Sequence, residues 1–170
     1  MSSTLREMLA SDPVPEVEDQ PPARERPLIL AAEDNKTNQL VFRKMLKNHD
    51  LDLTLVENGK LAVEAYSELQ PDAIFMDISM PVMDGFKTTR NIRQSDINPN
   101  HKAVIIACSA HAMKSDIEKF YEAGMDGYIS KPIDQDELYD LLEELREYRH
   151  EIKTSAPEPG KAGTPILETC

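Results

Sequence analysis

The sequence predicts an α/β fold: one five-stranded parallel sheet in the order 2-1-3-4-5, with helices on both faces. Two observations carry this. Five short apolar runs, rich in β-branched residues and bounded by turn formers, alternate with stretches of helical periodicity. The connections between them are short, which suits parallel strands joined by crossover helices. Right-handed crossovers then give the stated order, with its switch point between the first and third strands. A third observation concerns chemistry. Four of the runs end in a residue that phosphoryl chemistry uses, and in a parallel sheet all those ends lie on one edge.

Taken in order, the first strand is Leu28 to Ala32, closed by Glu33-Asp34. A helix from Lys36 to Asn48 follows, with Leu40, Val41, Met45 and Leu46 on its apolar side and Asn35 as a candidate cap. The second strand, Leu51 to Val56, closes with Glu57-Asn58-Gly59 and supplies no obvious chemistry; a helix from Gly59 to Leu69 follows. The third strand, Ala73 to Met76, ends in Asp77 and leads to a helix from Gly85 to Gln94. The fourth, Ala103 to Cys108, ends in Ser109; its helix, Ser115 to Ala123, stops at Gly124. The fifth, Gly127 to Ser130, ends in Lys131-Pro132, and Asp134 caps a last helix from Gln135 to Tyr148.

Proline placement marks the flanks. Residues 12–22 are acidic, proline-rich and poor in large apolar side chains, so residues 1–27 read as a flexible linker around one or two marginal helical turns at residues 4–10. Residues 149–170 read as a flexible tail, which leaves residues 28–148 as the domain. Neither flank is long enough for an output module, so signal is expected to pass through the domain's own surface. The chain of 170 residues carries a net charge of -12, which argues against direct binding to nucleic acid or to anionic membranes. Two cysteines, Cys108 and Cys170, make no disulfide framework, and His49, His101, His111 and His150 lack zinc-ligand spacing. No run is long enough to span a membrane and the amino terminus lacks signal-peptide features, so a cytoplasmic location is expected.

Three carboxylates, a hydroxyl and an ammonium are therefore expected in one crevice. Clustered carboxylates are tolerable around a hard divalent cation, and Mg²⁺ takes one or two of them together with waters and phosphate oxygens. Asp34 and Asp77 are the candidate direct ligands, with Glu33 acting directly or through water and the main-chain carbonyl of Ser79 available from the next loop. A carboxylate can also attack phosphorus. Lys131 can then neutralise one phosphoryl oxygen and the Ser109 hydroxyl can bond another. Pro132 biases Lys131 away from helical geometry, which aims it inward.

These motifs, Glu33-Asp34-Asn35, Met76 to Gly85, Cys108-Ser109-Ala110 and Gly127 to Ile133, resemble the receiver domain of two-component response regulators over about residues 27–148. Ala110 to Met113 and Ala123 to Gly127 are similar to receivers fused to hybrid sensor kinases. The resemblance implies a flavodoxin-like receiver fold in which Asp77 accepts a phosphoryl group from the phosphohistidine of a histidine kinase or phosphotransfer protein. It further implies that Ser109 follows the phosphoryl group, that Tyr128 changes rotamer, and that the face of the fourth helix, fifth strand and fifth helix meets a downstream protein. Ser79 and His111 occupy positions that flank the phosphoryl group in the family. Such a domain phosphorylates and dephosphorylates itself without turning over a metabolite. A haloacid dehalogenase type of phosphohydrolase would place a second Asp where Ser79 stands, and a pseudo-receiver would not need Asp77, Ser109 and Lys131 together.

Overall fold

The structure, a computed structural model, describes residues 24–95 and 102–154. His101, Cys170, the helical turns expected at residues 4–10 and most of the expected linker and tail lie outside the described residues. Strands β1 (Leu28–Ala32), β2 (Asp52–Val56), β3 (Ala73–Asp77), β4 (Val104–Ser109) and β5 (Gly127–Ser130) alternate with helices α1 (Lys36–Leu46), α2 (Gly59–Leu69), α3 (Gly85–Ser95), α4 (Lys114–Ala123) and α5 (Gln135–Thr154). The strands form one parallel sheet in the order β2-β1-β3-β4-β5, as expected.

Alternation along the strands sorts the core into two layers. Ile29, Ala31, Phe75, Ile106 and Ile129 face α1 and α5, where Phe42, Leu46, Leu138 and Leu142 close over them. Leu30, Ala32, Ile74, Met76, Ile105 and Ala107 face α2, α3 and α4, covered by Ala62, Tyr66, Ile92 and Phe120. Strands β1 and β3 are buried along their whole length, which explains why they read as continuous apolar runs rather than alternating ones.

Local chemistry fixes the ends. The Asn35 side chain accepts from the backbone of Thr37 and Asn38, and Asn58 caps α2 through Leu61. Asp134 accepts from the backbone of Asp136 and Glu137 and so caps α5 as expected. Gly124 ends α4 with φ at 100°, a left-handed geometry that a side chain would oppose. The last helix runs on past Tyr148, where the sequence placed its end, to Thr154. Its added turn carries Arg149, which donates to the carbonyls of Arg24 and Glu25 and pairs with Asp72 at 3.3 Å. Apolar periodicity could not find that turn, because it is held by polar contacts. None of the helices is long and apolar enough to cross a membrane, among the described residues.

Candidate functional site

Register alone brings the crevice together. Ala32 lies beside Met76 and Asp77 beside Cys108, so the residues that follow β1 and end β3 and β4 share one edge. Ser109 pairs with Ser130, which sets Lys131 next to them. Asp77 and Glu33 are both buried, at 4% and 1% exposure, while Asp34 is exposed. One carboxylate oxygen from each of the three can be chosen so that all lie within 4.8 Å of one another. Such a set of hard oxygen donors, one charge short of neutral even with a divalent ion, fits Mg²⁺ and no soft metal.

Lys131 is the cation that answers them. Its Nζ lies 2.7 Å from Glu33 Oε2 and 3.0 Å from Asp77 Oδ1. Burial pulls its pKa down, yet the hydrogen bonds and charges of Glu33 and Asp77 outweigh that and hold it above the ordinary amine value. Burial raises Asp77 to about 6; the bond from Lys131 opposes the rise and the charge of Glu33 adds to it. The Ser79 backbone N–H donates to Asp77 Oδ1 at 3.2 Å, which orients the carboxylate and turns the chain so that Ser79 follows it closely. The peptide bond between Lys131 and Pro132 is cis.

The close packing behind the carboxylate depends on a glycine. A Cβ on Gly85 would meet the Asp77 carbonyl oxygen at 2.4 Å, so only glycine lets the start of α3 lie against the end of β3. Asp84 caps that helix through the Lys87 N–H, and Val82 in the intervening loop sits at φ 68° with its side chain exposed.

The remaining expected residues are engaged by their own neighbours. The Ser109 hydroxyl donates to the His111 carbonyl at 2.7 Å and accepts from the His111 N–H at 3.1 Å, so it is engaged by its own loop. Tyr128 is half-buried and tilts against Phe120 with ring centres 6.3 Å apart. Cys108 is fully buried and its thiol is pushed up by burial, which makes it packing rather than chemistry.

Sequence reasoning missed the residues that hold Glu33. Its Oε1 accepts from the Asn35 N–H at 3.1 Å and from Asn38 Nδ2 at 3.2 Å, and its main-chain carbonyl accepts from the buried Gln39 amide at 2.6 Å. A run of amide side chains immediately after an acidic pair at a helix start was the available signal.

Comparison with known proteins agrees with this geometry. The model of the response regulator receiver domain matches residues 29–143. Hybrid signal transduction histidine kinase I of Dictyostelium discoideum is 38% identical over 134 residues; the match covers 75% of this chain but only 8% of that protein. The receiver domain of a Pseudomonas aeruginosa sensor histidine kinase, solved with a magnesium ion coordinated in its active-site cleft, is 38% identical with a TM-score of 0.62, over 69% of this chain and 95% of that one. The receiver domain of the Saccharomyces cerevisiae response regulator Ssk1, solved with the histidine phosphotransfer protein Ypd1, is 26% identical with a TM-score of 0.68, over 73% of this chain and 91% of that one.

Proposed function

This chain belongs to the response regulator receiver domain family, in its hybrid histidine kinase form, and we propose that it accepts a phosphoryl group on Asp77 in a two-component phosphorelay. The observation that carries the reading is Asp77 itself: a buried strand-end carboxylate bonded to Lys131 and within ligand distance of Glu33 and Asp34. A carboxylate oxygen of Asp77 attacks the phosphorus of a phosphohistidine; the P–N bond breaks, the electron pair returns to the imidazole, and an acyl phosphate remains. Lys131, already 3.0 Å from Asp77, neutralises one phosphoryl oxygen while Glu33 keeps its ammonium in place. Mg²⁺ would be held by Asp34, Asp77 and the Ser79 carbonyl, with Glu33 beside them, and would supply further charge neutralisation on the phosphoryl oxygens. The donor is a histidine kinase or a phosphotransfer protein, the process is signalling rather than metabolic turnover, and the setting is cytoplasmic.

The receiver proper spans residues 28–148 and continues along α5 to Thr154, with residues 1–27 and 155–170 as flanks. Propagation begins when Ser109 gives up its bonds to His111 for a phosphoryl oxygen. That moves the loop after β4 and vacates space for Tyr128, so the face of α4, β5 and α5 is the output surface for a downstream protein.

Acetyl phosphate with Mg²⁺ is the test. Intact mass should show one phosphoryl group per wild-type chain and none on Asp77→Asn. Labelling of Asp77→Asn at the wild-type level overturns the acceptor assignment, and sustained release of phosphate over many cycles overturns the signalling reading.

A further inference from the structure

The Asn38 side chain makes one contact with the site, and that contact determines how Glu33 can serve it. A carboxylate offers about four lone-pair directions, two on each oxygen. Both directions on Glu33 Oε1 are taken, by the Asn35 N–H and by Asn38 Nδ2, and one on Oε2 is taken by Lys131. Whatever Glu33 offers a cation or its water therefore comes from Oε2, the oxygen already shared with Lys131. The Asn35 N–H is fixed by the chain, whereas Asn38 is a free choice at a half-buried position in the first turn of α1. Glutamate has one more rotatable bond than aspartate, so without Asn38 its carboxylate could turn and present either oxygen.

We propose that Asn38 is a positioning residue: by holding Oε1 of Glu33 it commits Oε2 to Lys131 and to the metal, and so sets divalent-cation affinity without touching the ion. The claim rests on the proposed metal reading. Outer partners that orient a ligand commonly alter metal affinity by about 10- to 100-fold when removed. The asparagine contributes little to the fold, because alanine at an exposed or half-exposed helical position has the better helix propensity.

Calorimetric titration of the full chain with Mg²⁺, in wild type, Asn38→Ala, Glu33→Asp and the double variant, tests this. Asn38→Ala should weaken Mg²⁺ binding by about 10-fold. In the Glu33→Asp background, whose shorter side chain does not reach Asn38, the same change should cost less than about 2-fold, because the partner being positioned is gone. In metal-free protein the Asn38 side-chain amide resonances should move on Glu33→Asp. Equal losses in both backgrounds, or an unmoved Asn38 amide, overturn the inference while leaving the metal reading standing. Wild type that binds no Mg²⁺ overturns the metal reading and the affinity claim with it, whatever the amide resonances do.

Discussion

The two ends of the sheet handle partly or fully buried charge in opposite ways. At the end where the strands begin, charge is matched and bonded: Arg93 donates to the carbonyls of Gly124 and Ala103 and to Asp126, and Asp126 also accepts from the Ile105 N–H. There too Arg149 meets Asp72, whose other oxygen accepts from the Leu28 N–H. At the end where the strands finish, Lys131 faces Glu33 and Asp77 with Asp34 close by, so negative charge exceeds positive. One end holds the fold together, and the other leaves negative charge only partly compensated. The first end staples helices to strands; the second holds the Asp77 carboxyl well above the ordinary carboxylate range, chiefly by burial, with the Glu33 charge adding to the rise.

The largest expected effect comes from deepening the imbalance. Lys131→Met leaves two buried carboxylates without their cation and should destabilise the metal-free protein by about 3 kcal/mol or more in urea at neutral pH. The loss should shrink as pH falls, since Asp77, which burial raises to about 6, can then take up a proton.

Breaking the matched end should cost somewhat less and respond differently. Arg93→Met removes three donors and exposes their acceptors to water, for about 2 kcal/mol. Urea melts at pH 8 should show that loss with Mg²⁺ and without it alike, because the carboxylate cluster lies at the other end of the sheet.

Asp77→Asn should act in the opposite direction and stabilise the metal-free protein by about 1 kcal/mol, by removing a desolvated charge from the crowded end. The sign follows from linkage. Burial raises Asp77 from 3.8 to about 6, so the folded state binds the proton more tightly than the unfolded one. The contribution is fully present below pH 3.8 and is lost as pH rises through about 6. Wild-type stability should fall across that window, and Asp77→Asn should flatten the slope.

The smallest effect concerns backbone rather than charge. Val82, beside the site, holds φ 68° with a β-branched side chain exposed to solvent. Asparagine tolerates that geometry better, so Val82→Asn should raise stability by about 0.5 to 1 kcal/mol. A thermal melt that is unchanged or lower would mean that the loop stores no strain there.

The same contrast explains what could be read from the chain. Elements built by apolar periodicity were legible: β1, α2 and β5 match their expected bounds, and the strand order follows from connection length and handedness. Glu33, Asp34, Asp77 and Lys131 were legible as a cluster because strand ends share an edge. Less so were contacts made by polar side chains across long sequence separations, such as Arg149 to Asp72 or Arg93 to Asp126, since no local pattern announces a partner. Asn38 was missed for a related reason: its role depends on which oxygen of Glu33 it holds, and spacing carries no such detail. The Ser109 hydroxyl was expected in the crevice, and its engagement with His111 depends on loop geometry that residue types alone do not specify.

If the excess negative charge where the strands finish is what binds Mg²⁺, the ion should stabilise the fold only through that end. Urea unfolding with and without saturating Mg²⁺ tests it most directly in wild type, Asp77→Asn and Arg93→Met. Binding to the folded state alone should raise wild-type stability by an amount set by concentration over affinity. The same rise is expected in Arg93→Met and little or none in Asp77→Asn. A rise in Asp77→Asn equal to that of wild type would contradict it.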